Sequence, residues 1–356
     1  MSRLRTAAFF ALVSAGIAFA AGEVLTRAFH VADRLNGFPR RLFTATDDPH
    51  LPYVLTPGID VVVRGTRVRV NELGLRGPSI SARPAPGVHR ILALGDSVTF
   101  GLGLPVEEAF PALLGSELGA RYEVLNAGVE GYNTEAELAF LRQRGLALGP
   151  EVVVVAFNLN DYDDLPVLGP LGILTRDPAA RVPRRSLANV SEFYFLLRWL
   201  VTTRGQPWDD PQVAAAFAPR PGERFSDLDR YISALRKRYY AHPGDDRWQV
   251  MVDSLRGLGE TVRAAGLRLV VAILPDGDQV GVPAPDLLPQ RKVLGVCAEA
   301  GIECLDLYPA FAAAAMDGEL FLDIMHPNGA GQRLVARALA ERLVGGPRLR
   351  DHLQAP

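Results

Sequence analysis

Five short apolar runs separated by helical patterns are the feature that most limits how this chain can fold. The runs lie at 90–94, 122–126, 151–157, 267–274 and 302–306. Helical periodicity falls near 106–119, 133–148, 246–265, 288–300 and 329–344. Apolar strands that alternate with helices are typical of a parallel sheet covered on both faces. We therefore predict an α/β fold whose site lies beyond the carboxyl ends of the strands.

The chain divides into unlike segments around this pattern. We predict an N-terminal apolar segment at 1–29, an arm or linker at 30–88, the α/β domain at 89–345 and a tail at 346–356. Within the arm, the alternation at 60–77 predicts a hairpin. An excursion at 163–225 interrupts the βα rhythm, and it is either a lid or substrate wall or a helical subdomain with its own small core.

The N-terminal segment has Arg3 and Arg5, followed by 17 uncharged residues from Thr6 to Gly22. This length fits a short membrane span or the apolar region of a signal peptide. The A-x-A pattern at 18–20 favours cleavage, whereas the apolar helical pattern that continues past Glu23 favours a retained anchor. We expect a membrane anchor with the bulk of the chain exported to the periplasm or cell exterior. The alternatives are a secreted or periplasmic protein after cleavage, or a buried helix of a cytosolic protein.

Charge and cysteine content narrow the function classes. The formal net charge is −2 and the basic residues are scattered, so we expect no nucleic-acid partner. The two cysteines, Cys297 and Cys304, form no C-x-x-C motif. They either form a disulfide in an oxidising compartment or remain free buried thiols.

Residues suited to acyl transfer follow four of the predicted strands. Ser97 follows the first strand, Gly131 the second and Asn160 the third, and Asp323 and His326 follow the fifth. Taken alone, Ser97 is equally suited to capping a helix, and a D-x-x-H spacing is typical of surface turns. Together they provide a nucleophile, a base, a carboxylate to orient the base, and donors for an oxyanion. No second histidine or cysteine pair lies near His326, so we expect no metal site and no cofactor.

These blocks, in this order, resemble the SGNH (GDSL-type) hydrolase family over roughly residues 88–345. The resemblance implies Ser97 as nucleophile, His326 as general base and Asp323 as its orienting carboxylate. It also implies an oxyanion hole formed by the backbone N–H groups of Ser97 and Gly131 and the side-chain amide of Asn160. The implied fold is a flavodoxin-like three-layer α/β/α sandwich with a five-stranded parallel sheet.

Two stretches refine this resemblance. The third block of the family usually reads G-x-N-D, whereas this chain has Asn158-Leu159-Asn160-Asp161. The glycine is lost, but the amide donor is kept. Upstream, the stretch NELGLRG at 71–77 resembles a segment that precedes the serine block in membrane-anchored bacterial members. We therefore expect the arm to pack on the catalytic domain.

The resemblance implies a serine esterase that hydrolyses carboxylic esters through an acyl-enzyme, and the N-terminal segment predicts that it acts outside the cytoplasm. Its substrate would be an ester-bearing small molecule, an O-acetylated glycan or a lipid. The alternatives are an O-acyltransferase that modifies polysaccharides, a lipase or lysophospholipase, and a silent glycan-binding module.

Overall fold

The computed structural model describes residues 2–29, 31, 39, 41–163, 167–168, 174–175, 191–202, 223–243, 246–316 and 318–345. The strands are β1 Phe43–Ala45, β2 Tyr53–Leu55, β3 Asp60–Val63, β4 Thr66–Arg69, β5 His89–Gly95, β6 Tyr122–Gly128, β7 Val152–Phe157, β8 Val167–Leu168, β9 Leu174–Thr175, β10 Arg268–Ile273 and β11 Glu303–Asp306. The α-helices are α1 Ser2–Ala28, α2 Ser97–Phe100, α3 Phe110–Leu118, α4 Thr134–Phe140, α5 Glu192–Thr202, α6 Asp227–Ala241, α7 Asp246–Ala264, α8 Leu288–Ala300, α9 Tyr308–Ala314 and α10 Gly329–Gly345.

The central sheet contains the five predicted strands in the order β11-β10-β7-β5-β6, with every pair parallel. Its middle strand, β7, begins with four successive valines and is buried along its whole length. Such a run is expected where helices cover both faces of a sheet. The predicted fold class, a three-layer α/β/α sandwich with a small β arm and an N-terminal apolar helix, is confirmed.

Two separate cores lie on the two faces of this sheet. Successive residues of β5 alternate between them, because side chains along a strand point to opposite faces. Leu92 and Leu94 pack in the core beneath α4, α7 and α8. Ile91 and Ala93 pack in the other, with α3, α9 and α10.

Two of the predicted helices are broken where the sequence suggested continuity. The pattern at 106–119 forms a 3₁₀ turn, Val106–Glu108, and then α3 with Pro111 in its first turn. The pattern at 133–148 forms α4, a π-helical turn at Leu141–Gly145 and a 3₁₀ turn at Leu146–Leu148. A Cβ at Gly145 would lie 2.8 Å from the Leu92 side chain, so glycine lets this turn pass close to the sheet.

The arm consists of two hairpins, β1-β2 and β3-β4, as the alternation at 60–77 predicts for the second. Val61, Val63 and Val68 bury their side chains in the same core as α4 and α7. The arm also reaches β6, the edge strand of the sheet, through an isolated bridge between Arg76 and Asn126. The arm therefore packs on the α/β domain and covers part of the edge of the sheet at β6, which would otherwise be open.

Three sequence expectations fall wholly or partly outside the described residues. The tail at 346–356 is one of them. Of the excursion at 163–225, the structure describes β8, β9, α5 and a few flanking residues, and a lid or subdomain formed by the remainder is not described. Of the segment 30–40 of the arm, only residues 31 and 39 are described.

The sequence leaves open whether the two cysteines form a disulfide or remain free thiols. In the structure they form a disulfide, which links Cys297 of α8 to Cys304 of β11 with a Cα–Cα distance of 6.2 Å.

Candidate active site

Ser97 is the first residue of α2, the short helix that begins directly after β5. Gly95 at the turn has φ +152°, and a Cβ there would overlap the Thr99 side chain. The Asp96 carboxylate caps the helix by accepting a hydrogen bond from the Val98 N–H at 2.9 Å. Because a first-turn N–H has no acceptor within its own helix, the Ser97 N–H is available to a ligand.

The sheet brings the predicted serine, histidine and aspartate into one hydrogen-bonded row. His326 Nε2 lies 2.8 Å from Ser97 Oγ, across 229 positions of sequence. Its Nδ1 lies 2.8 Å from both carboxylate oxygens of Asp323. Asp323 Oδ1 also accepts hydrogen bonds from the N–H groups of Met325 and His326, each at 2.9 Å, which hold the carboxylate against the ring.

Electrostatics at this row favour a charged imidazole next to an ionised carboxylate. Burial lowers the pKa of His326, but the hydrogen bond and charge of Asp323, with the charges of Glu130 and Asp96, outweigh burial and raise the pKa above its usual value. Burial likewise raises the pKa of Asp323. The histidine and the two backbone N–H groups outweigh that effect and bring the pKa from 3.8 to about 2. Asp323 is therefore ionised at neutral pH.

A second set of contacts holds the loop that carries His326. The Gly277 N–H donates to the Ile324 carbonyl at 2.7 Å, so the turn after β10 is hydrogen-bonded to this loop. Arg236 of α6 donates to both oxygens of Asp276 at 3.2 and 3.3 Å and contacts the Met325 sulfur. This ion pair is almost completely buried. Our sequence analysis did not identify Arg236 or Asp276, since a lone arginine and aspartate 40 residues apart give no pattern.

Gly131 and Asn160 lie at the same edge of the sheet as Ser97. The Tyr132 N–H donates to the Val129 carbonyl at 3.1 Å, and Gly131 has φ +76° in the third position of this turn. That position favours glycine because a side chain is strained there. The Asn160 side chain lies beside Asp96, the neighbour of Ser97, and favours the ionised form of its carboxyl group. Its Oδ1 is buried and has no hydrogen-bond partner among the described residues.

Asp96, the middle letter of the G-D-S motif, also lies at this candidate site, although our sequence analysis assigned it no role beyond the motif. It is 1% exposed and joins the Ser97 turn to the loop after β7. Its Oδ2 accepts a hydrogen bond from Asn158 Nδ2 at 3.3 Å, in addition to the contact with Asn160. The departure from the G-x-N-D pattern therefore adds a link to Asp96 and leaves Asn160 beside it.

Glu130 is a further residue that the sequence analysis did not identify. It directly precedes Gly131, and its Oε2 is buried without a hydrogen-bond partner in the part of the chain that the structure describes. Burial, with smaller effects from the nearby charges of His326, Asp96, Arg64 and Asp323, raises the pKa of Glu130 to about 7. Arg64 lies at the tip of the β3-β4 hairpin, so the arm brings a charge close to the site.

No group of three or more histidine, cysteine or acidic side chains among the described residues is arranged to hold a metal ion. The chemistry available to Ser97, His326 and Asp323 is that of a nucleophile, a proton acceptor and a carboxylate that orients the acceptor.

A comparison with models of protein families finds one that matches this chain. The model of the GDSL-like lipase/acylhydrolase family matches residues 93–334, which include all five predicted site residues. No curated protein matches the chain.

Several solved structures are similar at low sequence identity. A member of the lipolytic protein G-D-S-L family from Veillonella parvula is 14% identical with TM-score 0.39, covering 71% of this chain and 97% of that one. A catalytic mutant of Axe2, an acetylxylan esterase from Geobacillus stearothermophilus, is 16% identical with TM-score 0.41, covering 73% and 95%. The acetyl xylan esterase AlAXEase is 13% identical with TM-score 0.41, covering 71% and 99%.

The family match spans more than half of the chain and includes the serine turn, the glycine and asparagine loops and the histidine loop. This chain therefore belongs to the GDSL-like lipase/acylhydrolase family and is a carboxylic ester hydrolase.

Proposed function

We propose that Ser97, His326 and Asp323 act as a catalytic triad. The observation that carries the proposal is the continuous row from Ser97 Oγ through both ring nitrogens of His326 to Asp323, with every distance 2.8 Å. The neutral ring accepts the Ser97 proton while Oγ attacks the ester carbonyl. The ring then returns that proton to the leaving alcohol, and water attacks the acyl-enzyme by the same route. Asp323 stabilises the imidazolium that forms in each half-reaction.

The oxyanion of each tetrahedral intermediate requires hydrogen-bond donors beside Ser97. We assign this role to the Ser97 N–H, the Gly131 N–H and the side-chain amide of Asn160. The position of Ser97 at the start of α2 and the contact of Asn160 with Asp96 support the assignment.

A fluorophosphonate probe tests the nucleophile directly. We expect the wild type to be labelled and Ser97→Ala to be unlabelled, with a loss of kcat of roughly 10³-fold or more. Ser116→Ala is the matched control, because Ser116 lies on the exposed side of α3 and its hydroxyl bonds only to its own helix. Equal labelling of wild type and Ser97→Ala would remove Ser97 from the mechanism.

For the substrate, we propose O-acetyl groups on glycans or envelope polymers. Polar groups close to the site, which are Glu130 near His326 and Arg64 near Glu130, support a polar substrate more than a long acyl chain. A chain-length series of p-nitrophenyl esters, run beside acetylated polysaccharide, tests this. Activity that is highest on acetyl esters and releases acetate from the polysaccharide is expected. Highest activity on long acyl chains would favour a lipase or lysophospholipase instead.

An O-acyltransferase would use the same acyl-enzyme and pass the acyl group to a sugar hydroxyl in place of water. The assay above separates the two reactions if acceptor glycan is added. If the enzyme is an acyltransferase, acylated acceptor should appear, and the release of free acid should fall by the same amount relative to the reaction without acceptor.

We also propose that α1 anchors the enzyme in a membrane, with the domain at 89–345 and its arm outside the cytoplasm. Among the described residues, α1 is the one helix long and apolar enough to cross a bilayer, and the mean hydropathy of its most apolar 18-residue window within Arg5–Ala28 is 1.9. The disulfide Cys297–Cys304 is consistent with an oxidising compartment.

Contacts between α1 and α5 support retention of this segment. Glu23 accepts hydrogen bonds from the Ser191 hydroxyl at 2.7 Å and from the Phe193 N–H at 3.0 Å, and so caps the start of α5. Phe19 packs edge-on against Phe193, with ring centroids 5.4 Å apart. Cleavage after Ala20 would remove the Phe19 contact.

N-terminal sequencing and membrane fractionation of the expressed protein decide whether the segment is retained. A mature protein that begins after Ala20 in a soluble fraction would contradict the anchor. A C-terminal alkaline phosphatase fusion tests the topology, since this enzyme is active only outside the cytoplasm.

A further inference from the structure

The stretch NELGLRG at 71–77 forms a compact turn that the proposed mechanism does not use. Asn71 Oδ1 accepts hydrogen bonds from the N–H groups of Leu73 and Leu75, each at 3.0 Å. Its Nδ2 donates to the Pro78 carbonyl at 3.0 Å. Gly74 has φ +77°, which a residue with a side chain would adopt only with strain. These contacts fix the direction in which the turn presents Arg76.

Arg76 is 3% exposed, and its guanidinium lies against the end of the helix that begins at Ser97. Nη1 donates to the carbonyls of Phe100 and Gly101, the latter at 2.7 Å, and Nη2 donates to the Leu104 carbonyl at 2.5 Å. The guanidinium also stacks on the Phe100 ring, 4.6 Å from its centroid. Burial lowers the pKa of Arg76 to about 10, so the group remains charged at neutral pH.

Two of these carbonyls belong to the peptide units that hold the Ser97 backbone. The N–H groups of Gly101 and Leu102 both donate to the Ser97 carbonyl, at 2.9 and 3.0 Å. The carbonyls of the same two planar units are those of Phe100 and Gly101, which Arg76 binds. Because a peptide unit is planar, fixing its carbonyl also fixes its N–H. A rigid path of two peptide units therefore joins the guanidinium to Ser97.

The same arginine touches the strand that leads to Gly131. The Arg76 N–H donates to the Asn126 carbonyl of β6 at 3.1 Å. The Asn126 side chain accepts from the Gly128 N–H at 3.0 Å and lies 3.4 Å from the Phe100 carbonyl that Arg76 binds. A Cβ at Gly128 would overlap the Phe100 backbone, so β6 and α2 are in direct contact here. Arg76 thus lies where the segments that carry Ser97 and Gly131 meet.

We propose that Arg76 is a positioning residue that holds the Ser97 turn and the Gly131 strand in the geometry needed for acyl transfer. The inference rests on the proposed function, since it assigns a task to a group that touches neither substrate nor reacting atoms. Arginine suits this task because its planar fork donates several hydrogen bonds in fixed directions. A lysine would keep the charge but is shorter and has one nitrogen, whereas the arginine reaches two successive carbonyls with Nη1 and the Leu104 carbonyl with Nη2.

The test compares Arg76→Lys with the wild type and with Arg67→Lys. Arg67 is the matched control, because it lies in the same arm and forms an exposed ion pair with Asp60. Three measurements are made on the full chain: steady-state kinetics (kcat and KM) with p-nitrophenyl acetate, amide hydrogen exchange of the segment 96–104, and thermal melting.

For Arg76→Lys we expect kcat to fall by about 10- to 100-fold with KM changed by no more than about twofold, as for a small misplacement of reacting groups. The amides of Gly101 and Leu102 should exchange at least about tenfold faster, since the carbonyls of their peptide units lose the hydrogen bonds from Arg76. Arg67→Lys should match the wild type in all three measurements. A folded Arg76→Lys protein with wild-type kcat and wild-type exchange at 101–102 would overturn the proposal.

Asn71→Ala provides a second variant in case Arg76→Lys does not fold. It removes the contacts that orient the turn but leaves the guanidinium in place, and it should show the same pattern with smaller changes. Unchanged exchange at 101–102 in folded Asn71→Ala would equally overturn the proposal. If the wild type itself is not labelled at Ser97 by the fluorophosphonate, the proposed function fails. The exchange measurement still decides whether Arg76 holds the turn.

Discussion

Replacement of Asp323 by asparagine tests the electrostatics of the site most sharply. Both carboxylate oxygens lie 2.8 Å from His326 Nδ1, and Oδ1 also accepts the N–H groups of Met325 and His326. Asparagine keeps an oxygen for those two N–H groups, so the loop should keep its fold. What disappears is the negative charge beside the ring.

The magnitude follows from this geometry. An adjacent opposite charge shifts a pKa by about 1–3 units. The pKa of Asp323 falls from 3.8 to about 2, and part of that shift comes from the backbone N–H groups rather than from the ring. We therefore expect the pKa of His326 to fall in Asp323→Asn, because the hydrogen bond and the charge that raise it are both lost.

The sign of the effect on activity can be worked out directly. Only the neutral ring accepts the Ser97 proton, so kcat/KM rises with pH along a limb that reports the free enzyme's His326. The raised pKa places the wild-type limb above the usual histidine value. In Asp323→Asn that limb should move to lower pH. At the same time kcat should fall by roughly 10²–10⁴-fold, because the ring loses the partner that sets its tautomer.

The assay is a pH–rate profile with p-nitrophenyl acetate for the wild type, Asp323→Asn and Asp306→Asn. Asp306 is the matched control, since it lies at the carboxyl end of β11 but caps the start of α9 through the Tyr308 N–H at 2.9 Å. Asp306→Asn should leave the limb in place. Full activity and an unmoved limb in Asp323→Asn, or a limb that moves in Asp306→Asn, would refute this account of the site.

Three other predictions address the oxyanion donors, metal dependence and the buried carboxyl groups. Asn160→Ala should fold normally and lose about 10²–10³-fold in kcat, as for removal of one oxyanion donor; a protein that fails to fold would make Asn160 a structural residue instead. Activity should survive exhaustive chelation, and its loss with recovery on adding zinc or manganese would contradict a metal-free mechanism. Burial and the charge of Asp96 raise the pKa of Glu137 well above its usual value, so the native state retains a proton that the unfolded chain releases, and stability should fall as pH rises above about 4.5. Glu137→Gln should reduce this decline in stability and raise the melting temperature at pH 8 by a few degrees. Calorimetry of both proteins from pH 5 to 8 measures the decline. An equally steep decline in the variant would show that Glu137 does not cause it.

Much of the fold and the proposed triad can be predicted from the sequence because the relevant signals are local. A run such as 152–157 is a strand candidate wherever it lies in a chain, since β-branched residues favour a buried strand. The spacing of Asp323 and His326 allows their contact within one turn. Parallel strands place their carboxyl ends at one edge, so the sequence predicts that Ser97, Gly131, Asn160 and His326 lie together there.

Other features were decided only by tertiary structure, because they depend on contacts between distant segments. The burial of Arg76 and its contacts with carbonyls 24 to 28 residues away follow from how the arm packs on β6 and α2. The links from Asp96 to Asn158 and Asn160 join loops after two neighbouring strands, which fold into contact only when the sheet sets their register. A sequence pattern records which side chains are polar, whereas the burial and pairing of those side chains depend on what the rest of the chain places around them.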